Sequence, residues 1–360
     1  MRSAQLLRRS GLFAGVDEPV LYRQAGAERV GVLLRVEESK QRNTIYGAVG
    51  VARDPVRDRA YLSGAVDLAL RNIYGTGRDL TVDWRRDALS GSRLALGYRE
   101  RFFLGLPLDL GTDLAQTERD STYTYQSLNA GGSLPLNRTL SLEVGGGLDR
   151  SVYHTVRTSG LRGNALRRRG LVGMRFESLL READGRRFGT LEARVESARK
   201  RNDLQSGDAS DRSRVRQTLW SGRFEAGLPL GPRHVVAARG EWHALTSNEG
   251  QVPASELYYF GGARTLRGYR EDQFRGEQVA FGGVEYRVGD PRGGRLYAFV
   301  DAGALRLHRM AGGPEQSMHV GYGLGLRAEV PSGIFDLSFA LGEERSFSAV
   351  KVHVSLVQRF

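Results

Sequence analysis

The sequence predicts an all-β protein: a 16-stranded antiparallel transmembrane β-barrel (residues 41–360) preceded by a partial α+β segment (residues 1–40). Three observations lead there. From Thr44 onward, apolar and polar residues alternate with a period of two almost everywhere. The alternating runs are about 10–13 residues long, the length a tilted strand needs to cross a bilayer. Short turns and long polar loops alternate between them, an asymmetry typical of outer-membrane barrels.

Composition narrows the alternatives. The chain has 360 residues, 53 Lys+Arg, 41 Asp+Glu, a formal net charge of +12 and no Cys. That excludes a disulfide scaffold, a thiolate metal site and a Cys nucleophile. A hydrophobic fraction of 40% and a mean hydropathy of −0.39 resemble a soluble protein. A spanning barrel has the same low average, because apolar-out alternates with polar-in. No window approaches ~18 consecutive apolar residues, so no transmembrane helix is expected. Forty-seven Gly against ten Pro suits long curved strands. The basic balance raises nucleic-acid binding, but no helix carries a Lys/Arg stripe and no helix-turn-helix or zinc pattern appears, so none is expected. Met1 to Asp17 holds no uninterrupted apolar stretch of about 7–15 residues, because Arg8 and Arg9 fall inside it. The expectation is a chain that has lost its leader.

The head comes first. Ser3 to Ser10 reads as a short helix ended by Gly11. A connection containing Leu12-Phe13 and Val20-Leu21 follows, then a strand from Arg29 to Val36. This is half of a small α+β module, too short to fold well alone.

Then come the strands. Leu140, Leu142, Val144, Gly146 and Leu148 face away from Ser141 and Glu143. Leu191, Ala193 and Val195 alternate with Glu192, Arg194 and Glu196, and Val236 to Ala244 alternate with Arg239, Glu241 and His243. One face would meet lipid and the other a wet, charged interior. A soluble sandwich also alternates, but its strands average about 5–6 residues and its polar face meets bulk water. The sixteen strands lie near 44–54, 58–71, 79–88, 92–103, 108–118, 122–133, 138–150, 167–178, 187–199, 214–226, 233–245, 278–288, 295–307, 318–330, 333–342 and 349–360. On one side the connections are short turns rich in Gly, Pro or Asn, such as Tyr74–Gly77 and Leu134–Asn137. On the other side they are the polar stretches Ser151–Arg167, Arg201–Ser213 and Thr246–Glu277.

The last of these is too long and too aromatic to be filler. It contains Tyr258-Tyr259-Phe260-Gly261-Gly262 and, after it, Arg267-Gly268-Tyr269. An Arg-Gly-Tyr tripeptide alone is compatible with an ordinary turn. Here it is followed by Glu285 and Asp301 on the next two strands. A buried guanidinium costs several kcal/mol unless paired, and two carboxylates can satisfy its fork of donors.

This stretch resembles the bacterial surface antigen superfamily of outer-membrane assembly factors, with its BamA/TamA-type barrels and two-partner-secretion exporters. The resemblance implies that the loop folds back into the barrel, with Arg267, Gly268 and Tyr269 at its tip and Glu285 and Asp301 as the acids that hold Arg267. Ser10-Gly11-Leu12-Phe13 and the run from Val30 to Glu38 resemble the second half of a POTRA module, the periplasmic unit that precedes such barrels. Complete modules and a signal peptide are missing from that pattern. The last strand carries Val352, Val354, Leu356 and Phe360 on one face, which the resemblance implies is an assembly signal. Gln358 stands where an aromatic is common. An aromatic at the lower lipid boundary would also account for Phe360.

Catalytic and cofactor patterns are weak. The six His are scattered, with no His-Glu-x-x-His, and no Gly-x-Ser-x-Gly elbow occurs. Gly321-Tyr322-Gly323-Leu324-Gly325 begins like a dinucleotide motif but lies in a strand, where its glycines read as small lumen-facing residues. No enzyme activity, metal or cofactor is expected. The expected function is insertion or assembly of other outer-membrane proteins in the bacterial outer membrane. The weakly bonded first and last strands would open as a lateral seam and offer an edge to a client strand. The alternatives are a two-partner-secretion type exporter and a passive outer-membrane porin or receptor. Expected partners are client outer-membrane or secreted proteins, the lipid bilayer and lipopolysaccharide, and periplasmic proteins docking through POTRA modules.

Overall fold

Alternation puts apolar side chains on one side of a sheet and charged ones on the other. In a membrane both sides are satisfied, and no backbone edge is left in lipid, when the sheet closes. The computed structural model shows this closure. It describes residues 7, 12–23, 30–38, 43–53, 60–87, 91–119, 122–154, 161–178, 187–206, 209–249, 251–290, 294–309, 313–330, 333–343 and 350–359.

Sixteen long strands form a closed antiparallel barrel. They are β1 (Thr44–Arg53), β2 (Ala60–Leu70), β3 (Arg78–Asp87), β4 (Gly91–Glu100), β5 (Asp109–Arg119), β6 (Tyr123–Pro135), β7 (Leu140–Tyr153), β8 (Leu161–Glu177), β9 (Phe188–Ser206), β10 (Arg214–Gly231), β11 (His234–Ser247), β12 (Gln278–Gly289), β13 (Gly294–Arg309), β14 (Gly313–Val330), β15 (Gly333–Leu341) and β16 (Lys351–Arg359). A short strand, Ala209–Asp211, adds to the end of β9.

The period of two places side chains as the alternation predicts. On β7, Val144 is 53% exposed on the outer wall while Glu143 is 8% exposed inside. Val172, Trp220 and Leu324 also face outward. Inside, buried charges are tolerable because they are paired. Arg169 reaches Asp149 at 3.1 Å and Glu196 at 2.9 Å. Arg194 and Arg175 both hold Glu143, at 2.7 and 3.2 Å. A polar lumen cavity of about 420 Å³ lies among these groups.

Several strands overrun their expected bounds, mostly at the end that carries the long loops, although β10 runs on to Gly231 at the short-turn end, past the expected 226. Strand β8 begins at Leu161 rather than near 167, β9 ends at Ser206 rather than near 199, and β14 begins at Gly313 rather than near 318. Strand lengths therefore range from 9 to 19 residues. The expected loops 151–167 and 201–213 shrink accordingly. The reason is physical. Above the lipid the outer face is polar, as with Arg162, Asn164, Asp203 and Gln205, while Ala165 and Leu204 are buried inside, so the apolar-out pattern is lost although the ladder continues through the pairs Asn164↔Asp203 and Arg162↔Gln205.

In the head, Leu7 is helical, and the rest of the helix expected at 3–10 lies outside the described residues. The single strand expected from Arg29 to Val36 is broken in two. Val30–Leu33 pairs with Val20–Arg23, and Val36–Glu38 pairs with Phe13–Val16. The break lies opposite Asp17-Glu18-Pro19, where Pro19 has no N–H to give a ladder.

Closure is uneven around the barrel. Strand β1 pairs with β2 over ten residue pairs, and β15 with β16 over eight. Between β16 and β1 the register among the described residues holds two pairs, Gln358↔Ile45 and Arg359↔Thr44, at the end of the short turns.

Candidate functional site

The chain between β11 and β12 folds back into the barrel. Tyr258–Phe260 and Phe274–Gly276 pair as a narrow ribbon that carries the tip inward. At the tip, Thr265 Oγ1 accepts from the Gly261 N–H at 2.7 Å and donates to the Gly261 carbonyl at 2.8 Å. Apolar side chains bind the ribbon to the wall. Phe260, Leu266 and Tyr269 are buried against Val279 and Phe281 of β12, with the Phe260 and Phe281 rings stacked 5.6 Å apart.

At the bottom of the tip, Arg267 is 5% exposed. Its Nε and NH2 donate to the two oxygens of Asp301 at 2.7 and 2.8 Å, a bidentate fork. Its NH1 donates to Glu285 Oε1 at 2.8 Å, and its backbone N–H donates to Asp301 Oδ2 at 3.2 Å. The guanidinium lies 3.5 Å above the Phe299 ring. Burial alone would weaken its hold on the proton, but Asp301 first and then Glu285 outweigh burial and raise its pKa above the usual arginine range. Two further cations support the acids: Arg239 of β11 lies 3.5 Å from Asp301, and Arg287 lies 2.7 Å from Glu285. Arg239 also donates to the carbonyl of Arg264 in the loop.

Backbone approach sets the depth of the tip. Gly268 has φ +94°, and a Cβ there would stand 2.6 Å from the Leu341 carbonyl oxygen at the end of β15. A Cβ on Gly321 of β14 would stand 1.9 Å from the Arg267 carbonyl oxygen, so the Gly-rich face of β14 is the space into which the loop fits. Tyr269 completes the seat by donating from its hydroxyl to the Val320 carbonyl at 3.0 Å. The tip is thus held on β12–β15, one strand from the β16–β1 closure.

The structure brings Arg267, Gly268 and Tyr269 together with Glu285 and Asp301. It does not join the C-terminal residues to them. Val352 and Val354 face outward on β16, at 54% and 62% exposure. The Leu356 side chain and the whole of Phe360 lie outside the described residues.

Sequence reasoning missed a second anchor at the root of the loop. Lys200 of β9 is fully buried and donates to Glu249 and, at 2.8 Å, to Glu256. Asn202 donates to Glu249 at 2.8 Å, Gln217 donates to Glu256, and the hydroxyls of Tyr153 and Ser255 meet at 2.6 Å. One signal existed. Lys200 stands on the inward face of β9, between outward Arg199 and Arg201, and the loop opposite supplies two acids within eight residues.

Residues 212–360, which hold the loop, its tip and both acids, match the Omp85 superfamily domain. The fold is similar to BamA from Haemophilus ducreyi lacking POTRA domains 1–3, at a TM-score of 0.60 and 16% identity over 100% of this chain and 78% of that one. It is similar to CdiB from Acinetobacter baumannii at 0.61 and 15%, over 99% of this chain and 67% of the other. CdiB from Escherichia coli aligns at 0.61 and 15%, over 99% and 69%. No curated protein matches the chain.

Proposed function

We propose, from the premise that this chain is an outer-membrane barrel of the Omp85 type whose Omp85 superfamily domain spans residues 212–360, that it inserts β-rich client proteins into the outer membrane through the β1–β16 closure. The observation that carries this reading is the register there: among the described residues two pairs, against seven or more between every other pair of neighbouring long strands. Among the described residues, Tyr46–Arg53 of β1 and Lys351–Val357 of β16 have no register partner across the closure, so alternate residues of each turn N–H and C=O groups to an open edge. Such edges are templates for strand addition. The loop clamped by Arg267, Glu285 and Asp301 braces β12–β15 and keeps the wall rigid up to the strand that moves. The segment before residue 41 serves, in this reading, as the end of a periplasmic POTRA-like unit that delivers clients.

A second reading, export of a secreted chain through the lumen, is supported by the equal likeness to CdiB and by the charged interior. The two separate experimentally. Because the chain has no Cys, the register pair Ile45→Cys and Gln358→Cys gives one defined disulfide across the closure. Locked protein in liposomes is expected to lose client insertion and regain it on reduction. Insertion at the unlocked rate would overturn the insertase reading. Export that persists in the locked state would establish the second one.

A further inference from the structure

Register partners on the outer wall form rows that run across several strands. One row, traced pair by pair, is Leu96 (β4), Leu114 (β5), Leu128 (β6), Leu148 (β7), Arg168 (β8), Arg199 (β9) and Arg216 (β10). The next row toward the long loops sets Leu166 beside Arg201 and Arg201 beside Arg214. All five arginines are exposed and share the outward face with Val172, Val195 and Trp220, which lie four residues lower on the same strands. Strands tilt about 35–45° in such barrels, so a row climbs across the wall. The change from leucine to arginine marks where it leaves the hydrocarbon.

Like charges directly opposite on neighbouring strands repel and destabilise the pair. Here Arg168 faces Arg199, Arg199 faces Arg216 and Arg201 faces Arg214. Among the described residues no carboxylate pairs with any of the five. The outward acid of the next row, Asp203, lies 3.6 Å from Arg212. The five arginines make up most of the lining of a surface cleft of about 690 Å³ that reaches Leu166. A second cleft of about 340 Å³, lined by Leu94, Leu96, Leu114, Leu128 and Leu148, reaches Leu166 from the other side.

We propose that the outer wall of β7–β10 binds the phosphorylated headgroup of an outer-leaflet glycolipid in the arginine cleft, with acyl chains along the adjoining leucine cleft. Guanidinium forks bind phosphate bidentately. The leucine surface next to them supplies what a soluble anion would not use. The pattern also assigns a height, since it places β8–β10 with their arginines at the headgroup layer, and it gives the barrel a fixed side on which ordered lipid sits, away from the β1–β16 closure.

The test uses the full chain in detergent, with retention of bis-phosphorylated lipid A read by native mass spectrometry. Two variants, Arg168→Gln/Arg216→Gln and Arg201→Gln/Arg214→Gln, each remove two surface charges, and heat-modifiable migration verifies the barrel in each. Either one carries the test if the other does not fold. Expected is retention by the wild type, at least tenfold weaker retention by each folded variant, loss with dephosphorylated lipid A, and no displacement by inorganic phosphate equimolar with the lipid. Undiminished retention by a folded variant would overturn the proposal. Equal retention of dephosphorylated lipid would overturn the headgroup assignment, and displacement by equimolar inorganic phosphate would reduce the cleft to a free-anion site.

Discussion

Arg267 and Asp301 meet as a two-bond fork, Nε to Oδ2 at 2.7 Å and NH2 to Oδ1 at 2.8 Å, although they stand 34 residues apart in sequence and Asp301 is fully buried. Arg267→Ala leaves that carboxylate with only the backbone N–H of residue 267 and the 3.5 Å contact to Arg239. Removing one partner of a buried pair costs about 3–5 kcal/mol. The expected outcome is a lower urea midpoint in lipid vesicles and loss of the folded band at a lower temperature on gels. Unchanged heat-modifiability at normal folded levels would show that the tip does not brace the wall.

Gly268→Ala tests depth rather than charge. The added Cβ meets the Leu341 carbonyl oxygen at 2.6 Å and the Gly342 nitrogen at 2.8 Å, and φ +94° disfavours any side chain. Strain of this kind costs about 1–3 kcal/mol. The tip should lift while Arg267 is still present. Trypsin should then cut within Arg264–Arg270 in the variant under conditions that leave the wild-type loop intact.

The root anchor should act separately from the tip. Lys200→Met strands Glu249 and Glu256, at a cost of about 3–5 kcal/mol for breaking a buried pair. Adding Glu249→Gln and Glu256→Gln should recover most of it, because the uncompensated charges are then gone. In planar bilayers the wild type and each single variant should show small, flickering conductance, as one anchor still holds the loop. Lys200→Met combined with Arg267→Ala should open a large, steady conductance. If the double variant conducts like the wild type, the loop is not what fills the lumen.

How much of this was legible in the sequence follows from what each feature rests on. Strand count came from the outward apolar face, which any lipid-facing strand must show, as in Val144 and Leu148. Strand ends above the membrane were not legible, because there the ladder continues with polar Arg162, Asn164, Asp203 and Gln205 on its outer face and apolar Ala165 and Leu204 inside, the reverse of the lipid-facing pattern. The tip and its acids were readable because Arg267, Glu285 and Asp301 occur in a recognisable order. The Lys200 anchor was not, since Glu249 and Glu256 look like ordinary loop acids until the loop is folded inward. The supporting role of Arg239 and Arg287 was equally hidden among fifty arginines.

The two acids of the clamp are not equivalent, which gives the sharpest prediction. Asp301 accepts three hydrogen bonds from residue 267, two from the side chain and one from the backbone, and a fourth contact from Arg239. Glu285 takes one bond from Arg267 and shares its other oxygen with Arg287 on its own strand. Asp301→Asn replaces an acceptor oxygen with an NH2 group that faces a guanidinium donor, so at least one branch of the fork is lost and the buried cation loses its nearest counter-charge. Glu285→Gln can still accept from Arg267, and Arg287, which is partly exposed, turns to solvent. The expected order of stability is wild type, then Glu285→Gln lower by about 1 kcal/mol, the scale of a single hydrogen bond, then Asp301→Asn lower by about 3–5 kcal/mol. Urea unfolding in vesicles measures both. Equal midpoints for the two variants would mean that the tip is held by its apolar packing on Val279 and Phe281 rather than by the fork.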